Sequence, residues 1–331
     1  MTLTPRAFRR HLERTFPSLK GHHLLVACSG GVDSMVLLHL LSRAADAFQL
    51  TLSVAYVNHR LRPEAKEETL LVEQEAKKLN ISFVSLSFSE DFWNEKGNME
   101  ERARQERYKL LAEHAQKEKI SAIATAHHAD DQIETLLMRL LDRGTGIKGL
   151  SGILPDRILN NSRVIRPLLV FSKNEIIAYQ TENDIPYAED SSNHDTAIRR
   201  NLFRHNIIPA LETQLGKPAL HHLSILASNV QDELKFNTFT ATLFWQQWQT
   251  KKSEYTVPFT YIKQKSVNFW TSALRNLLPI VDTSASLSRS ALEDCATFLI
   301  KQQKKSCNAH PLVITMEQDF MEIKVVQKNN K

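Results

Sequence analysis

Short apolar runs alternate with longer amphipathic segments along the first half of the chain. The apolar runs, which we predict to be strands, cover residues 22–29, 50–59, 81–88, 121–128 and 164–169. The amphipathic segments, which we predict to be helices, cover residues 35–41, 63–79, 99–118 and 130–141, with another helix beginning near residue 173. This alternation is typical of βαβ units. It predicts an α/β fold whose parallel, Rossmann-like sheet is covered by helices on both faces.

The pattern changes after about Leu215, where helical spacing replaces the alternation. Apolar residues then recur every three or four positions, at Leu220, Leu223, Leu226 and Val230. Further on, we predict a helix over residues 289–301 and a terminal hairpin over residues 312–326. The change divides the chain into a predicted α/β domain, residues 1–215, and a smaller, mainly helical C-terminal domain, residues 216–331.

The composition is that of a globular chain with a mildly basic balance. Apolar residues make up 42% of the 331 residues and charged residues 24%, and the formal net charge is +5 at pH 7. These values exclude a disordered or fibrous chain, and they allow a polyanionic partner without indicating one. Cys28, Cys295 and Cys307 form no C-x-x-C pair, which argues against a metal or iron–sulfur site built from closely spaced thiolates.

The sequence gives no sign of membrane association. No apolar stretch reaches the ~18 residues that a membrane-spanning helix needs. The N-terminus is rich in arginine and lacks the apolar core of a signal peptide. We therefore expect a cytoplasmic protein that does not bind a membrane.

The clearest chemical signal is a six-residue segment between the first predicted strand and the following helix. Its residues are Ser29, Gly30, Gly31, Val32, Asp33 and Ser34. Two adjacent glycines let the backbone approach a ligand closely, and the free N–H groups at the start of a helix favour an anion. The serine hydroxyls are further donors, and Asp33 is a candidate Mg²⁺ ligand. A plain glycine turn with Asp33 or Ser34 as helix cap is the alternative, but the whole combination favours a phosphate site.

Polar residues also follow other predicted strands, at His59 and at the pair His127-His128. Because ligands collect at the carboxyl ends of parallel strands, these residues are expected at one edge of the sheet. We assign His127 to the ligand site next to the phosphate loop, although the sequence does not decide which of the two histidines faces the ligand.

Acidic residues open the next predicted helix. Asp131 and Glu134 lie three positions apart and share a helix face. We predict Asp131 as the second Mg²⁺ ligand and Glu134 as a group oriented toward the second substrate. Ordinary capping of a helix N-terminus is sufficient to explain Asp130. The H-x-x-x-H spacing of metalloproteases is absent, which argues against zinc.

Taken together, these motifs resemble the tRNA(Ile)-lysidine synthase family of the N-type ATP pyrophosphatases. The S-G-G-x-D-S loop is shared by all N-type ATP pyrophosphatases, whereas the segment H-H-A-D-D-Q-I-E-T from His127 is much more restricted. The resemblance runs from Ser29 to Pro209, and beyond Leu215 it is weaker. The other matching positions are Asn58, His59, Leu61, Arg62, Glu100, Ala103, Arg104, Arg107, Tyr108, Arg143, Gly144, Thr145, Gly146, Gly149, Leu150, Arg166, Pro167, Leu168, Leu169, Glu189, Asp190, Ser192, Asn193, Arg200, Asn201, Arg204 and Ile208.

The resemblance implies a specific reaction. The cytosine oxygen of the first anticodon base of isoleucine tRNA, which has the anticodon CAU, attacks the α-phosphorus of ATP and releases pyrophosphate. The amine of free L-lysine then attacks carbon 2 and expels AMP, which leaves lysidine and changes decoding from AUG to AUA. ATP and Mg²⁺ are the implied cofactors. Residues 1–215 would be the catalytic domain and residues 216–331 a tRNA-binding extension.

The resemblance also implies roles for individual residues. The implied catalytic residues are Asp33, Asp131, Glu134 and Arg104, with Arg104 acting at the α-phosphate or at lysine. Either Glu134 or Asp131 would bind the lysine ammonium group or accept its proton. The implied tRNA-binding residues are Arg107, Arg143, Arg200 and Arg204, because the planar guanidinium suits phosphate contacts.

Other functions remain open from the sequence. The same loop serves tRNA 2-thiolation, GMP synthesis and NAD synthesis, and a catalytically inactive nucleotide- or RNA-binding module is a further alternative. The absence of C-x-x-C pairs argues against a cluster-dependent thiolase, and the presence of Asp33, Asp131 and both loop glycines argues against an inactive module. A homodimer is compatible with the sequence but not indicated by it.

Overall fold

A computed structural model describes residues 2–60, 65–94, 99–143, 147–188, 199–281, 287–301, 306–317 and 319–326. The chain forms two compact units, Met1–Val230 and Gln231–Lys331. Some positions of the predicted motifs lie outside the described residues, namely Leu61, Arg62, Gly144, Thr145, Gly146, Glu189, Asp190, Ser192 and Asn193. The side chains of Glu100 and Arg143 also lie outside the description.

A six-stranded sheet with the order β3-β2-β1-β4-β6-β5 forms the centre of the first unit. Its strands are β1 His23–Ala27, β2 Thr51–Asn58, β3 Ser82–Ser87, β4 Ala122–Ala124, β5 Asp156–Leu159 and β6 Ser162–Ile165. All neighbours are parallel except β5, which is antiparallel to β6. The helices are α1 Pro5–Thr15, α2 Val32–Phe48, α3 Ala65–Lys78, α4 Met99–Lys117, α5 Ala129–Arg143, α6 Ile147–Leu150, α7 Lys173–Glu182, α8 Arg199–Leu202 and α9 Ile208–Leu215.

Alternate residues of β1 show why helices cover both faces of the sheet. Leu24 and Val26 are fully buried in one apolar cluster with Phe8 of α1. Leu25, also fully buried, points the other way into a second cluster with Leu111 of α4. Because neighbouring side chains of a strand point to opposite faces, an all-apolar strand needs cover on both sides. The predicted α/β fold with a parallel sheet is therefore confirmed.

The strand order places a crevice next to β1. The chain moves outward from β1 to β2 and β3, and then returns to the other side of β1 at β4. The connections after β1 and β4 therefore diverge at this point, where open α/β sheets bind ligands. The loop of residues 29–34 follows β1, and the pair His127-His128 follows β4.

The predicted strand over residues 164–169 differs from the observed one. The strand β6 begins earlier, at Ser162, and ends at Ile165. Pro167 has no N–H group to donate to a neighbouring strand, which explains why the apolar run Leu168-Leu169 forms a turn instead. The antiparallel partner β5 was not predicted.

The second unit has its own core beneath a five-stranded antiparallel sheet with the order β7-β8-β11-β10-β9. Its strands are β7 Gln249–Lys251, β8 Glu254–Pro258, β9 Ser306–Ala309, β10 Leu312–Met316 and β11 Phe320–Val325. Its helices are α11 Phe259–Ile262, α12 Val267–Val281 and α13 Arg289–Lys301, while α10, Lys217–Gln246, begins in the first unit and ends in the second. Trp245 and Trp270 are fully buried in this core.

Several predictions for the C-terminal region are confirmed. The helix over residues 289–301 is α13, and the terminal hairpin is formed by β10 and β11. The hairpin is part of a larger sheet that was not predicted. The predicted domain boundary after Leu215 falls at the end of α9, whereas the compact units divide at Val230. No helix in the described part of the chain is long and apolar enough to cross a membrane.

Candidate functional site

The loop of residues 29–34 is a tight connection between β1 and α2. Gly30 has a φ angle of +84°, a left-handed conformation that favours glycine, and Gly31 caps the helix N-terminus. The Ser34 hydroxyl accepts a hydrogen bond from the Ser29 N–H at 3.1 Å and donates one to the Gly31 carbonyl at 2.8 Å. Ser34 therefore holds the loop in shape, whereas the sequence had predicted its hydroxyl as a donor to a ligand.

The start of α5 brings the two predicted metal ligands together around His128. The N–H of His128 donates to Asp131 Oδ2 at 2.9 Å. The His128 Nε2 atom lies 3.6 Å from Asp131 Oδ2 and 3.8 Å from Asp33 Oδ2. The two carboxylates thus approach the same nitrogen from different elements, α2 and α5.

In this cluster, burial and the neighbouring charges shift the pKa values of His128 and Asp131 in opposite directions. Burial alone lowers the pKa of His128, but the carboxylates of Asp131, Asp130 and Asp33 outweigh it, so that the pKa is raised. Burial alone raises the pKa of Asp131, but the positive charges of His128 and Arg200 outweigh it, so that the pKa is lowered. Asp131 is consequently a stable carboxylate near neutral pH.

Two arginines from the segment after α7 hold the acidic face of α5. Arg200 donates from Nε to Glu134 Oε2 and from a terminal nitrogen to Asp131 Oδ1, both at 2.7 Å. Arg204 donates from Nε to Glu134 Oε1 at 2.6 Å. Glu134 is only 1% exposed, so both of its oxygens are paired inside the protein. The contacts of Arg200 and Arg204 seen here are with carboxylates, while their predicted contact with tRNA stays a prediction.

A cavity of about 290 Å³ opens between the 29–34 loop, β2, α4 and the start of α5. Its lining combines apolar strand residues with polar groups from the loop and helices. The predicted site residues in its wall are Ser29, Gly31, Asp33, Ser34, Arg104, Arg107, His127, Asp131 and Arg200. His127 lines the cavity, and His128 is not among the lining residues. Gly30 and Val32 lie in the loop itself, and Glu134 and Arg204 are joined to the wall through their ion pairs.

The arginines of α4 present charge to this cavity. Arg104 lies over the ring of Tyr108, with its guanidinium carbon 5.3 Å from the ring centre. Arg107 has a buried Nε that meets no hydrogen-bond partner among the described residues, and burial lowers its pKa. A buried cationic donor without a partner is costly unless a ligand satisfies it, so this wall suits an anionic group.

His127 is held as a neutral ring. Its Nδ1 lies 3.0 Å from the Thr125 hydroxyl. Burial is the main cause that lowers its pKa to about 3. A neutral imidazole is able to form a hydrogen bond with a nucleotide without adding charge.

Sequence reasoning missed Lys173, the first residue of α7. Its Nζ lies 2.5 Å from Asp33 Oδ1, and its backbone N–H donates to Asp130 Oδ2 at 2.8 Å. The sequence contained only an indirect signal for a basic residue at this place. The 29–34 loop has a carboxylate and no basic side chain, so a positive charge beside it has to come from another element.

The donor set fits Mg²⁺ only in part. Carboxylate oxygens are the ligands that Mg²⁺ prefers, and Asp33 and Asp131 provide them side by side. The described residues contain no group of three or more His, Cys, Asp or Glu side chains arranged to hold a metal ion. A Mg²⁺ ion here would therefore take its remaining ligands from phosphate oxygens and water.

Comparison with known proteins agrees with this geometry. Residues 5–211 match the PP-loop domain family. The chain is 41% identical over 224 residues to the tRNA(Ile)-lysidine synthase of Thermosipho africanus, covering 65% of this chain and 51% of the relative. It is 43% identical over 194 residues to that of Wolbachia pipientis wMel, covering 58% and 44%. It is 34% identical over 271 residues to that of Lactiplantibacillus plantarum, covering 78% and 60%. The chain thus spans about half the length of these relatives.

Solved structures show the same fold. The U34-tRNA thiolase NcsA from Methanococcus maripaludis superimposes with a TM-score of 0.58, covering 69% of this chain and 78% of that one, at 17% sequence identity. At this low sequence identity, the superposition shows a shared fold and nothing more. The sheet order and the glycine loop after β1 agree with the family match over most of the first unit. The chain therefore belongs to the PP-loop domain family.

Proposed function

We propose that the protein uses ATP to adenylate the first anticodon cytidine of isoleucine tRNA with the anticodon CAU, and then joins free L-lysine to carbon 2 of that base. The observation that carries this proposal is one cavity that is lined by both the 29–34 loop and Asp131. A phosphate site and a fixed carboxylate are the two features that an adenylating lysine ligase needs. The identity of 34–43% to relatives named tRNA(Ile)-lysidine synthase supports this choice of substrates.

In the proposed adenylation step, backbone N–H groups of the 29–34 loop bind the β- and γ-phosphates. Arg104 and Arg107 also line the cavity, and we assign Arg104 to the charge that develops at the α-phosphorus, while Arg107, predicted from the sequence to bind tRNA, adds a second positive charge to the same wall. Asp33 and Asp131 would hold Mg²⁺, which neutralises phosphate charge when bound. His127 contributes a neutral hydrogen-bonding group beside the nucleotide.

In the proposed second step, the acidic pair on α5 binds lysine. Asp131 has a lowered pKa and is therefore a weak base, so it suits binding of the lysine ammonium group better than removal of its proton. Glu134 has both oxygens paired with Arg200 and Arg204 and is almost fully buried, so it is placed to hold these arginines at the lysine site and not to accept the proton. Arg200 and Arg204 fix both carboxylates, and this contact favours a role in shaping the lysine site over a direct tRNA contact. Arg143 is left as a predicted tRNA-binding residue.

Incubation with isoleucine tRNA, ATP, Mg²⁺ and labelled lysine tests the proposal, followed by nuclease digestion and mass analysis of the nucleotides. We expect label on the first anticodon nucleotide only. Pyrophosphate release without lysine should still occur, because adenylation precedes lysine attack. Methionine tRNA is the substrate control. Asp33→Ala should abolish both steps, whereas Glu13→Gln, at an exposed ion pair with Arg9 on α1, should leave both intact.

Two results would contradict the proposal and point elsewhere. Consumption of ATP to AMP without lysine on the tRNA would indicate a different adenylating member of the family, such as a 2-thiolation enzyme. Absence of pyrophosphate release with every tRNA would indicate a nucleotide- or RNA-binding module.

A further inference from the structure

Two of the three cysteines lie against each other in the core of the second unit. The Sγ atom of Cys295 is 3.6 Å from the Sγ atom of Cys307. Cys295 belongs to α13 and is fully buried, whereas Cys307 belongs to β9 and is only half-buried. Every residue in the wall of the nucleotide cavity lies between Ala27 and Arg200, so neither thiol takes part in the proposed reaction.

The two thiols face each other because the backbone on both sides is fixed. In the ladder between β9 and β10, Cys307 pairs with Ile314, whose side chain is fully buried. Paired residues of neighbouring strands point to the same face of a sheet, so Cys307 points into the core. On α13, Cys295 belongs to the same apolar cluster as Leu292 and Leu299, which share its helix face. The sulfur contact thus joins α13 to the edge strand of the sheet.

A disulfide bond between these residues is within steric reach. The sulfur atoms of a disulfide lie about 2 Å apart, so the two thiols have to approach each other by roughly 1.5 Å. Cys307 lies on the edge strand, where rotation of its side chain supplies part of this movement. Ordinary packing of two thiols in an apolar core would explain their contact. It does not explain why one thiol of the pair is accessible at the sheet edge, where a small oxidant is able to reach it.

We propose that Cys295 and Cys307 form a reversible disulfide bond when the protein meets a small-molecule disulfide oxidant such as oxidised glutathione. The bond joins positions 12 residues apart and ties α13 covalently to β9. In a reducing environment the pair stays as two thiols. This inference concerns the second unit alone and does not depend on the proposed function.

The exchange balances in two steps. Cys307 reacts first, because its thiol is the more exposed: as a thiolate it attacks one sulfur of the oxidant, forms a mixed disulfide and releases one thiol. Cys295 then loses its proton, attacks the sulfur of Cys307 and releases the second thiol. Two electrons pass from the cysteines to the oxidant, whose two thiols take up the two protons. Burial and the neighbouring Cys307 raise the pKa of Cys295 to about 12, so Cys295 stays protonated until its partner is activated.

Peptide mapping of the full chain after incubation with oxidised glutathione tests the inference. Remaining thiols are alkylated before digestion with trypsin, which cuts the chain between the two cysteines at Lys301. The peptides that contain Cys295 and Cys307 are therefore joined only where the disulfide has formed. We expect the joined pair within hours, and its complete loss after treatment with excess dithiothreitol. Cys28 should be recovered as an alkylated thiol.

Single substitutions test the order of the steps. In Cys295→Ser the accessible Cys307 should accumulate as a mixed disulfide with glutathione, whereas in Cys307→Ser the buried Cys295 should stay a thiol. Cys28→Ser is the matched control and should form the joined pair as the wild type does.

Thermal unfolding tests whether the folded second unit accommodates the bond. Oxidation of the wild type should raise the midpoint of the transition of this unit by about 10 °C, because the bond restricts the unfolded chain. Neither single cysteine variant should show this rise. Affinity for AMP should change less than about twofold on oxidation, since the nucleotide cavity lies in the first unit.

Recovery of both Cys295 and Cys307 as alkylated thiols after incubation of the wild type would overturn the inference. Joined peptides that arise only between two molecules, seen as dimers on a non-reducing gel, would also overturn it. A joined pair without a rise in the midpoint would do the same, because it would show that the bond forms in the unfolded chain and not in the folded unit.

Discussion

At the scale of single residues, His11 is a half-buried imidazole whose ionisation opposes folding. Its ring packs edge-on against Phe16 and Phe171, and its buried Nε2 has no hydrogen-bond partner in the described part of the chain. Burial is the main cause that lowers its pKa to about 4 from 6.5, with the charge of Arg14 adding to it. The unfolded chain therefore binds a proton more readily than the folded protein as the pH falls below 6.5.

We expect this proton to destabilise the protein in acid. Stability from a neutral His11 is complete above pH 6.5 and is lost as the pH falls from 6.5 to about 4, by at most about 3 kcal/mol. Urea unfolding of the wild type and of His11→Gln at pH 7.5 and 4.5 measures the effect. The wild type should lose more stability than the variant between these values. Identical losses would show that His11 does not titrate on unfolding.

The carboxylate of Glu134 forms ion pairs with both Arg200 and Arg204, and so its negative charge holds the two arginines at α5. Glu134→Gln keeps the volume of the side chain but leaves Arg200 and Arg204 without their shared carboxylate. We expect the free energy of unfolding to fall by about 1–3 kcal/mol, because the arginines are partly exposed and keep some hydration. Lysine transfer should slow about 100-fold or more, because Arg200 and Arg204 lose the contact that fixes them at the lysine site, while pyrophosphate release without lysine persists.

The exposed pair of Arg9 and Glu13 supplies the control for this variant. The two side chains are 52% and 58% exposed, and surface ion pairs contribute little, so Glu13→Gln should change neither stability nor turnover measurably. Chemical denaturation and single-turnover assays with and without lysine measure both quantities. Loss of pyrophosphate release in Glu134→Gln would place Glu134 in the adenylation step instead.

The sequence predicted only some of the contacts between individual side chains. The three-residue spacing of Asp131 and Glu134 predicted a shared helix face, because helix geometry is local. The same reasoning does not identify a partner such as Arg200, which is 66 positions from Glu134 in sequence. Lys173 was missed for the same reason, since its contact with Asp33 depends on how α7 packs against α2.

At the scale of elements, apolar periodicity predicted the parallel strands and failed for the polar hairpin β5–β6. The strand β5, Asp156–Leu159, carries two charged residues and lies at the edge of the sheet, where burial does not impose an apolar pattern. A turn signal was available, because Asn160 and Asn161 both have positive φ angles, 48° and 58°. Asparagine tolerates the left-handed conformation that such two-residue hairpin turns require.

Substitution of Gly30 tests whether the conformation of the 29–34 loop is needed to bind pyrophosphate. Its φ of +84° strains any residue with a Cβ, although a Cβ there would meet Glu68 only at an ordinary contact distance of 3.5 Å. Gly21 has a similar φ of +76° and open space around it, outside the loop. We expect Gly30→Ala and Gly21→Ala to cost a similar ~1–2 kcal/mol in unfolding free energy, while only Gly30→Ala weakens pyrophosphate binding. Equal pyrophosphate affinity in the two variants would show that the loop conformation is not needed.

At the scale of the whole molecule, the two units have separate apolar cores. Every residue in the wall of the ligand cavity lies between Ala27 and Arg200, within the first unit. The core of the second unit centres on aromatic residues such as Trp245 and Trp270. Nucleotide binding should therefore depend on the first unit, while the predicted tRNA-binding extension depends on the second.

Trp270→Ala tests whether nucleotide binding and tRNA binding depend on different units. The side chain is fully buried, and its indole N–H donates to the Ile262 carbonyl at 3.2 Å, so its removal leaves a cavity and takes away one of the hydrogen bonds that this carbonyl accepts. We expect a loss of about 3–5 kcal/mol in the second unit, with an earlier thermal transition, lower affinity for tRNA and unchanged affinity for AMP. Phe236→Ala, at a side chain that is 63% exposed, should leave the unit folded. If Trp270→Ala abolished AMP binding as well, the nucleotide site would depend on the second unit, and the division of tasks argued from the two cores would be wrong.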